Sequence, residues 1–158
     1  MQGKDSEKDT INFSSEIYFV VEGEIVGKGR PRVTMRGGYA RAYTPKKTAD
    51  CEQRIREAYS REYSSPIWTN KEPLEMVINV YYEVPNSVSR KQRDQMLLGD
   101  IRPTKKPDAD NLFKTCADAL NNLAYGDDSQ IVIARINKWY AEKAGAEITI
   151  REVKHGRE

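Results

Sequence analysis

At 158 residues and 18.1 kDa the chain has the size of one domain, long enough to bury roughly two thirds of its unfolded surface. Apolar residues make up 38% and charged residues 32% of it, against typical values of about 45–50% and about 25%, which describes a much-solvated surface and excludes a membrane span, since no run approaches roughly 18 apolar residues. The 26 Lys and Arg nearly cancel the 24 Asp and Glu, so the net charge of +2 conceals the local fields and these have to be read segment by segment.

Residues 1–15, beginning MQGKDSEKDT, are polar with no signal-peptide core, so a disordered tail on a soluble, cytoplasmic chain is expected and the domain is placed at 16–154. IYFVVEGEIVG (17–27) is rich in β-branched and aromatic residues and predicts a strand. KGRPRVTMRGGYARAYTPKK (28–47) holds a Gly37-Gly38 turn signal and predicts an exposed hairpin or loop. Thr44-Pro45, a hydroxyl followed by proline, opens a helix over 45–62, with Cys51, Ile55, Ala58 and Tyr59 on its apolar face. After breaks at Ser64-Ser65-Pro66 and Asn70, Leu74, Met76, Ile78, Val80 and Tyr82 alternate as a strand with one buried face. Pro85 stops that strand, a short helix is expected near Ser87 or Ser89, and 99–110 reads as a proline-broken loop.

The strongest helical pattern runs from Asp110 to Ala124, with Leu112, Phe113, Ala117, Leu120, Leu123 and Ala124 as its stripe and Gly126 as its stop. Two strands, 129–141 and 146–153, follow and are expected to form a hairpin at Gly145. This order predicts an α/β fold, a single compact domain with a mixed β-sheet covered by helices. There is no GxGxxG or GxxxxGK[ST] motif and so no sequence case for a nucleotide site. Cys51 and Cys116 are expected as free thiols, and two cysteines with a lone His155 exclude a zinc finger and argue against Ser-His or Cys-His catalysis. Carboxylates, lysine and tyrosine remain as candidate catalysts.

The carboxylates gather in KKPDADNLFKTCADALNNLAYGDDSQIV (105–132). Asp108 and Asp110, two residues apart in an extended segment, would point to one side, and Asp127 and Asp128 add a second acidic pair. Such crowding is relieved best by a hard divalent cation, Mg²⁺ above all, which lowers the pKa of water and stabilises charge on a phosphodiester. Taken singly, an Asp at a helix start is an ordinary N-cap and Gly-Asp-Asp an ordinary turn; the conjunction with Lys105, Lys106 and Lys114 favours chemistry. Lys114 lies four residues past Asp110, where either an i, i+4 ion pair or an ammonium aimed at a scissile phosphate fits the spacing, and Asp118, four residues further on, could pair with Lys114 but reads as solvated surface.

Lys28, Arg30, Arg32, Arg36, Arg41, Lys46 and Lys47 fall in a window free of acidic residues, as a phosphate backbone requires. Tyr39 and Tyr43 lie among them, where they can stack on bases or pack on the sheet. Lys105 and Lys106 extend the basic surface to the acidic loop.

Asp108-x-Asp110-Asn111-Leu112, then Lys114, Asp118-Ala119-Leu120 and Asp127-Asp128-x-Gln130-Ile131, resemble in order and spacing the RusA-type Holliday junction resolvases. The resemblance is strongest over 105–132 and weaker over Gly27-Lys28-Gly29-Arg30-Pro31-Arg32, where the basic character departs from the best-known member. It implies a two-fold homodimer that resolves four-way DNA junctions by paired nicks with Mg²⁺ or Mn²⁺, in recombination and repair. It further implies Asp108, Asp110 and Asp128 as metal-binding carboxylates, Asp127 as a supporting acid and Lys114 as the catalytic lysine. Read as a straight helix, residues 111–123 stand about 20 Å end to end, while each residue onward to Asp128 reaches only about 3.3 Å. That spacing predicts a composite site with Asp128 supplied by the two-fold partner. The competing readings are a non-catalytic module binding branched DNA and a flap or RNA nuclease using the same metal site.

Overall fold

The computed structural model describes residues 15–64 and 66–154; of the tail expected over 1–15, residues 1–14 lie outside them, as does His155. The elements are β1 (Glu16–Glu22), β2 (Arg32–Arg36), β3 (Tyr39–Tyr43), α1 (Lys46–Glu62), β4 (Leu74–Glu83), α2 (Arg90–Leu97), α3 (Ala109–Leu120), a 3₁₀ turn (Asp128–Gln130), β5 (Ile131–Ala141) and β6 (Gly145–Glu152). β1, β6, β4 and β5 form one mixed sheet in that order, and β2 and β3 form a separate antiparallel ribbon.

Strict alternation places Leu74, Met76, Ile78, Val80 and Tyr82 of β4 on the buried face, beside Ile148 and Ile150 of β6 and Ile17, Phe19 and Val21 of β1. Cys51, Ile55 and Tyr59 of α1 and Leu112, Cys116 and Leu120 of α3 close the core over that face. The expected single α/β domain, a mixed sheet under helices, is what forms. Both cysteines are free, and burial pushes both thiols up from their ordinary value, which leaves them protonated and inert.

The expected hairpin at Gly145 does not form. β4 lies between β5 and β6, pairing parallel with β5 and antiparallel with β6, so the short link 142–144 steps over the end of β4. Two strand spacings are about 9.6 Å, within the reach of such a link at about 3.3 Å per residue; a short Gly-bearing connection reads alike in either case. α3 also ends earlier than its apolar pattern, at Leu120, because Asn121 is extended and Asn122 adopts φ 59°. The chain then doubles back: the Tyr125 hydroxyl donates to Ala117 O at 2.7 Å.

The parallel β4–β5 pair requires a long crossover, and the acidic segment is that crossover. No helix among the described residues is long and apolar enough to cross a membrane.

Candidate active site

The loop that delivers Asp108 to α3 is held from two sides. Lys138 of β5 donates through Nζ to Lys105 O (2.5 Å) and Pro107 O (2.9 Å), and Arg102 donates to Lys138 O (2.6 Å) with its guanidinium 3.3 Å above the Trp139 ring. From the opposite side, Lys28 N donates to Asn111 O (3.0 Å) and the buried Thr115 hydroxyl donates to Val26 O (2.9 Å). Gly27 allows this approach, since a Cβ there would stand 2.8 Å from Pro107 Cβ. Lys138 and Thr115 carry no motif, and the pattern of β5 reads simply as strand, so sequence reasoning missed both.

Asp108 occupies the N-cap of α3 but makes no capping hydrogen bond; among the described residues its carboxylate meets only the exposed Lys106, at 3.1 Å. An exposed pair of this kind contributes little. Asp110, in the first turn, is exposed and has no ion pair among the described residues. Asp108 thus lacks the capping hydrogen bond that the ordinary N-cap reading assigned, and Asp110 lies inside the helix, where its charge suits the helix N-terminus, rather than in the extended pair expected with Asp108.

One turn later, Lys114 bridges Asp118 (3.0 Å) and Asp128 (3.4 Å). Asp118 in turn meets Lys28 (3.0 Å), and Lys28 meets Glu52 of α1 (2.5 Å). Asp118 is therefore a linking carboxylate at 23% exposure rather than solvated surface. The hydrogen bond to Asp118 and that carboxylate's charge, with Asp128 adding to them against a small burial effect, hold the Lys114 ammonium above its ordinary pKa. For Lys28 burial acts downward, and the bonds to Glu52 and Asp118 outweigh it.

The structure bears on three expectations. Within its own chain Asp128 meets Lys114, because α3 stops at Leu120 and the 3₁₀ turn returns along it, with Asn121 Oδ1 accepting from Asp128 N at 3.1 Å. The straight helix that the reach argument assumed therefore ends at Leu120, yet within one chain Asp128 is not gathered with Asp108 and Asp110 into a group of three carboxylates. Lys28 is tied into the ion-pair chain at 22% exposure, unlike its exposed neighbour Arg30. Asp127 forms a capping box with Gln130, accepting from Ser129 N (3.1 Å) and the Ser129 hydroxyl, and those bonds hold its carboxyl below the usual range. Its carboxylate is occupied within its own turn.

Arg30, Arg32, Arg36, Arg41, Lys46, Lys47, Lys105 and Lys106 are exposed as expected. Tyr39 and Tyr43 are exposed on the ribbon and do not pack on the main sheet. Among the described residues no three His, Cys, Asp or Glu side chains are gathered closely enough to form a metal cluster. The donor chemistry nonetheless suits Mg²⁺, which needs one or two carboxylates and fills its shell with water and phosphate oxygens, and Asp108 and Asp110 are two such carboxylates without strong partners.

An acidic helix start with a fixed ammonium stands beside exposed basic residues on a compact α/β body. The profile described as Endodeoxyribonuclease RusA matches residues 22–151, and the chain belongs to that family of junction-resolving endodeoxyribonucleases. It is also 40% identical over 139 residues, 87% of this chain and 96% of the relative, to a Bacillus subtilis (strain 168) protein described as "Uncharacterized protein YqaN".

Proposed function

We propose that this chain is a divalent-metal-dependent endonuclease that resolves four-way DNA junctions in recombination and repair by paired symmetric nicks, acting as a two-fold homodimer. The observation that carries this reading is the pair Asp108 and Asp110, carboxylates at a helix start that neither cap the helix nor engage a buried cation, one turn from a held ammonium. Asp108 and Asp110 would hold Mg²⁺ or Mn²⁺, and, since no three carboxylates gather within one chain among the described residues, Asp128 of the two-fold partner would complete the site. When bound, such an ion supplies water activation and charge stabilisation at the phosphodiester.

Lys114 stays protonated at neutral pH and therefore serves as a cation rather than a base, stabilising negative charge on the phosphate in the transition state. Asp118, through Lys28 and Glu52, keeps that ammonium directed along the exposed edge of α3. The exposed arginines and lysines of 30–47 and 105–106 bind the phosphate backbone.

A nicking assay on a mobile four-way junction tests the reading. Wild type with Mg²⁺ is expected to give paired nicks, Asp110→Asn to retard the junction but leave it whole, and Lys114→Ala to lose about 10²–10³-fold in rate. Retardation by wild type without nicking under any divalent ion would make the chain a binding module, and preferential cutting of flaps or RNA would change its substrate.

A further inference from the structure

The β2–β3 ribbon has two chemically different faces. Register pairs Arg32 with Tyr43, Thr34 with Arg41 and Arg36 with Tyr39 on one face, and Val33 with Ala42 and Met35 with Ala40 on the other. The first face is cationic and aromatic; the second is apolar throughout. Both are in water: every residue of the two strands is exposed, with Val33 at 66% and Met35 at 72%. The ribbon adds nothing to the core, and a lone hairpin is marginal in water, so an apolar face of this kind has its use in a complex.

We propose that the ribbon is a two-faced wedge for branched DNA, its Arg/Tyr face lying on phosphates while Val33 and Met35 stack on the base pair left exposed at the branch point. This rests on the branched-DNA reading above and assigns the residues that would make the chain prefer a branch to a continuous duplex. A duplex covers one face of an inserted ribbon and leaves the other wet, whereas diverging arms present phosphates on one side and the open end of a base stack on the other. Ala40 and Ala42 keep the apolar face flat enough for a planar base, and Val33 and Met35 provide the bulk of a wedge.

Charge selects this occupant over a second copy of the ribbon. The two strands carry Arg32, Arg36 and Arg41 and no acidic residue, so two ribbons would repel each other where a polyanion is attracted. Position supports it too. The ribbon's base is clamped by Gly29 N donating to Thr48 Oγ1 at 3.2 Å, and Lys28 N bonds Asn111 O in the first turn of α3, so the ribbon springs from the edge of the carboxylate site. Five-residue strands extend about 17 Å from that base.

The test uses the full chain in EDTA, so that binding is read without cleavage, on a four-way junction carrying 2-aminopurine beside the branch point and on a linear duplex of the same sequence. Wild type is expected to raise the 2-aminopurine fluorescence. Val33→Thr/Met35→Gln is expected to abolish that rise and to lower the junction-to-duplex affinity ratio about tenfold. Arg36→Gln/Arg41→Gln should weaken binding to both DNAs and reduce the salt slope by about 2. Wild-type preference and fluorescence in the Val33→Thr/Met35→Gln variant would overturn the wedge while leaving the junction reading intact. No junction preference in wild type would overturn both. A change in sedimenting mass on making that variant would assign the apolar face to a second copy and likewise overturn the wedge.

Discussion

Lys114 takes its character from its neighbours. An isolated lysine at this exposure would be a mobile surface charge, but carboxylates at 3.0 and 3.4 Å confine the ammonium to one edge of α3. Asp118 is the inner of the two and is itself shared with Lys28, so Asp118→Asn removes the support of both cations. This variant is expected to retain junction binding and lose about 10–100-fold in nicking rate. It should also move the alkaline limb of the kcat–pH profile to lower pH, because the main effect raising the Lys114 pKa is gone. An alkaline limb unmoved by the substitution would assign Asp118 a structural role only.

At the scale of elements, the site is a meeting of three chain segments around one helix end. The strand-to-ribbon link at 26–28 bonds the first turns of α3, β5 reaches over through Lys138 to the loop before it, and the 3₁₀ turn returns beside it. Gly27 is the tightest point of that assembly. Gly27→Ala would drive a Cβ to 2.8 Å from Pro107, which requires the loop carrying Asp108 to shift. Overpacking of this kind typically costs about 1–3 kcal/mol. Urea unfolding should report that loss, and nicking measured per folded molecule should fall as well, since the displaced segment leads directly to Asp108, proposed above to bind the metal.

For the whole molecule, the resolved ionisations point to alkaline sensitivity. Lys28 and Lys114 are raised by their carboxylate partners, and burial pushes the Tyr81 and Tyr82 phenols up to about 12, with Glu147 adding to the effect at Tyr81. Each group binds its proton more tightly when folded, so its stabilising contribution is complete below its ordinary value of 10.0 or 10.5 and is lost as pH rises through the folded value. Thermal unfolding followed from pH 9 to 12 is expected to show Tm falling steadily from about pH 10, with a shallower fall in Asp118→Asn. A Tm flat across that window would contradict the ion-pair chain from Glu52 to Asp128.

Much of this was legible in the residues themselves. Alternation along β4, the apolar stripe of α1 and the Gly37-Gly38 turn each specify local structure, and the order of Asp108, Asp110, Lys114 and Asp128 resembles the family that the match over residues 22–151 shows. The roles of Lys28, Asp118 and Asp127 were not legible, because a charge in a sequence has no partner until the chain folds. Lys28 looks like its neighbour Arg30 and differs only in being beside Glu52 and Asp118. The insertion of β4 between β5 and β6, and the early end of α3 that returns Asp128 to its own helix, were likewise decided by tertiary packing. Sequence determines what each segment prefers within a few residues of itself; which strand pairs with which, and which carboxylate holds which cation, depends on residues far apart along the chain meeting in one core.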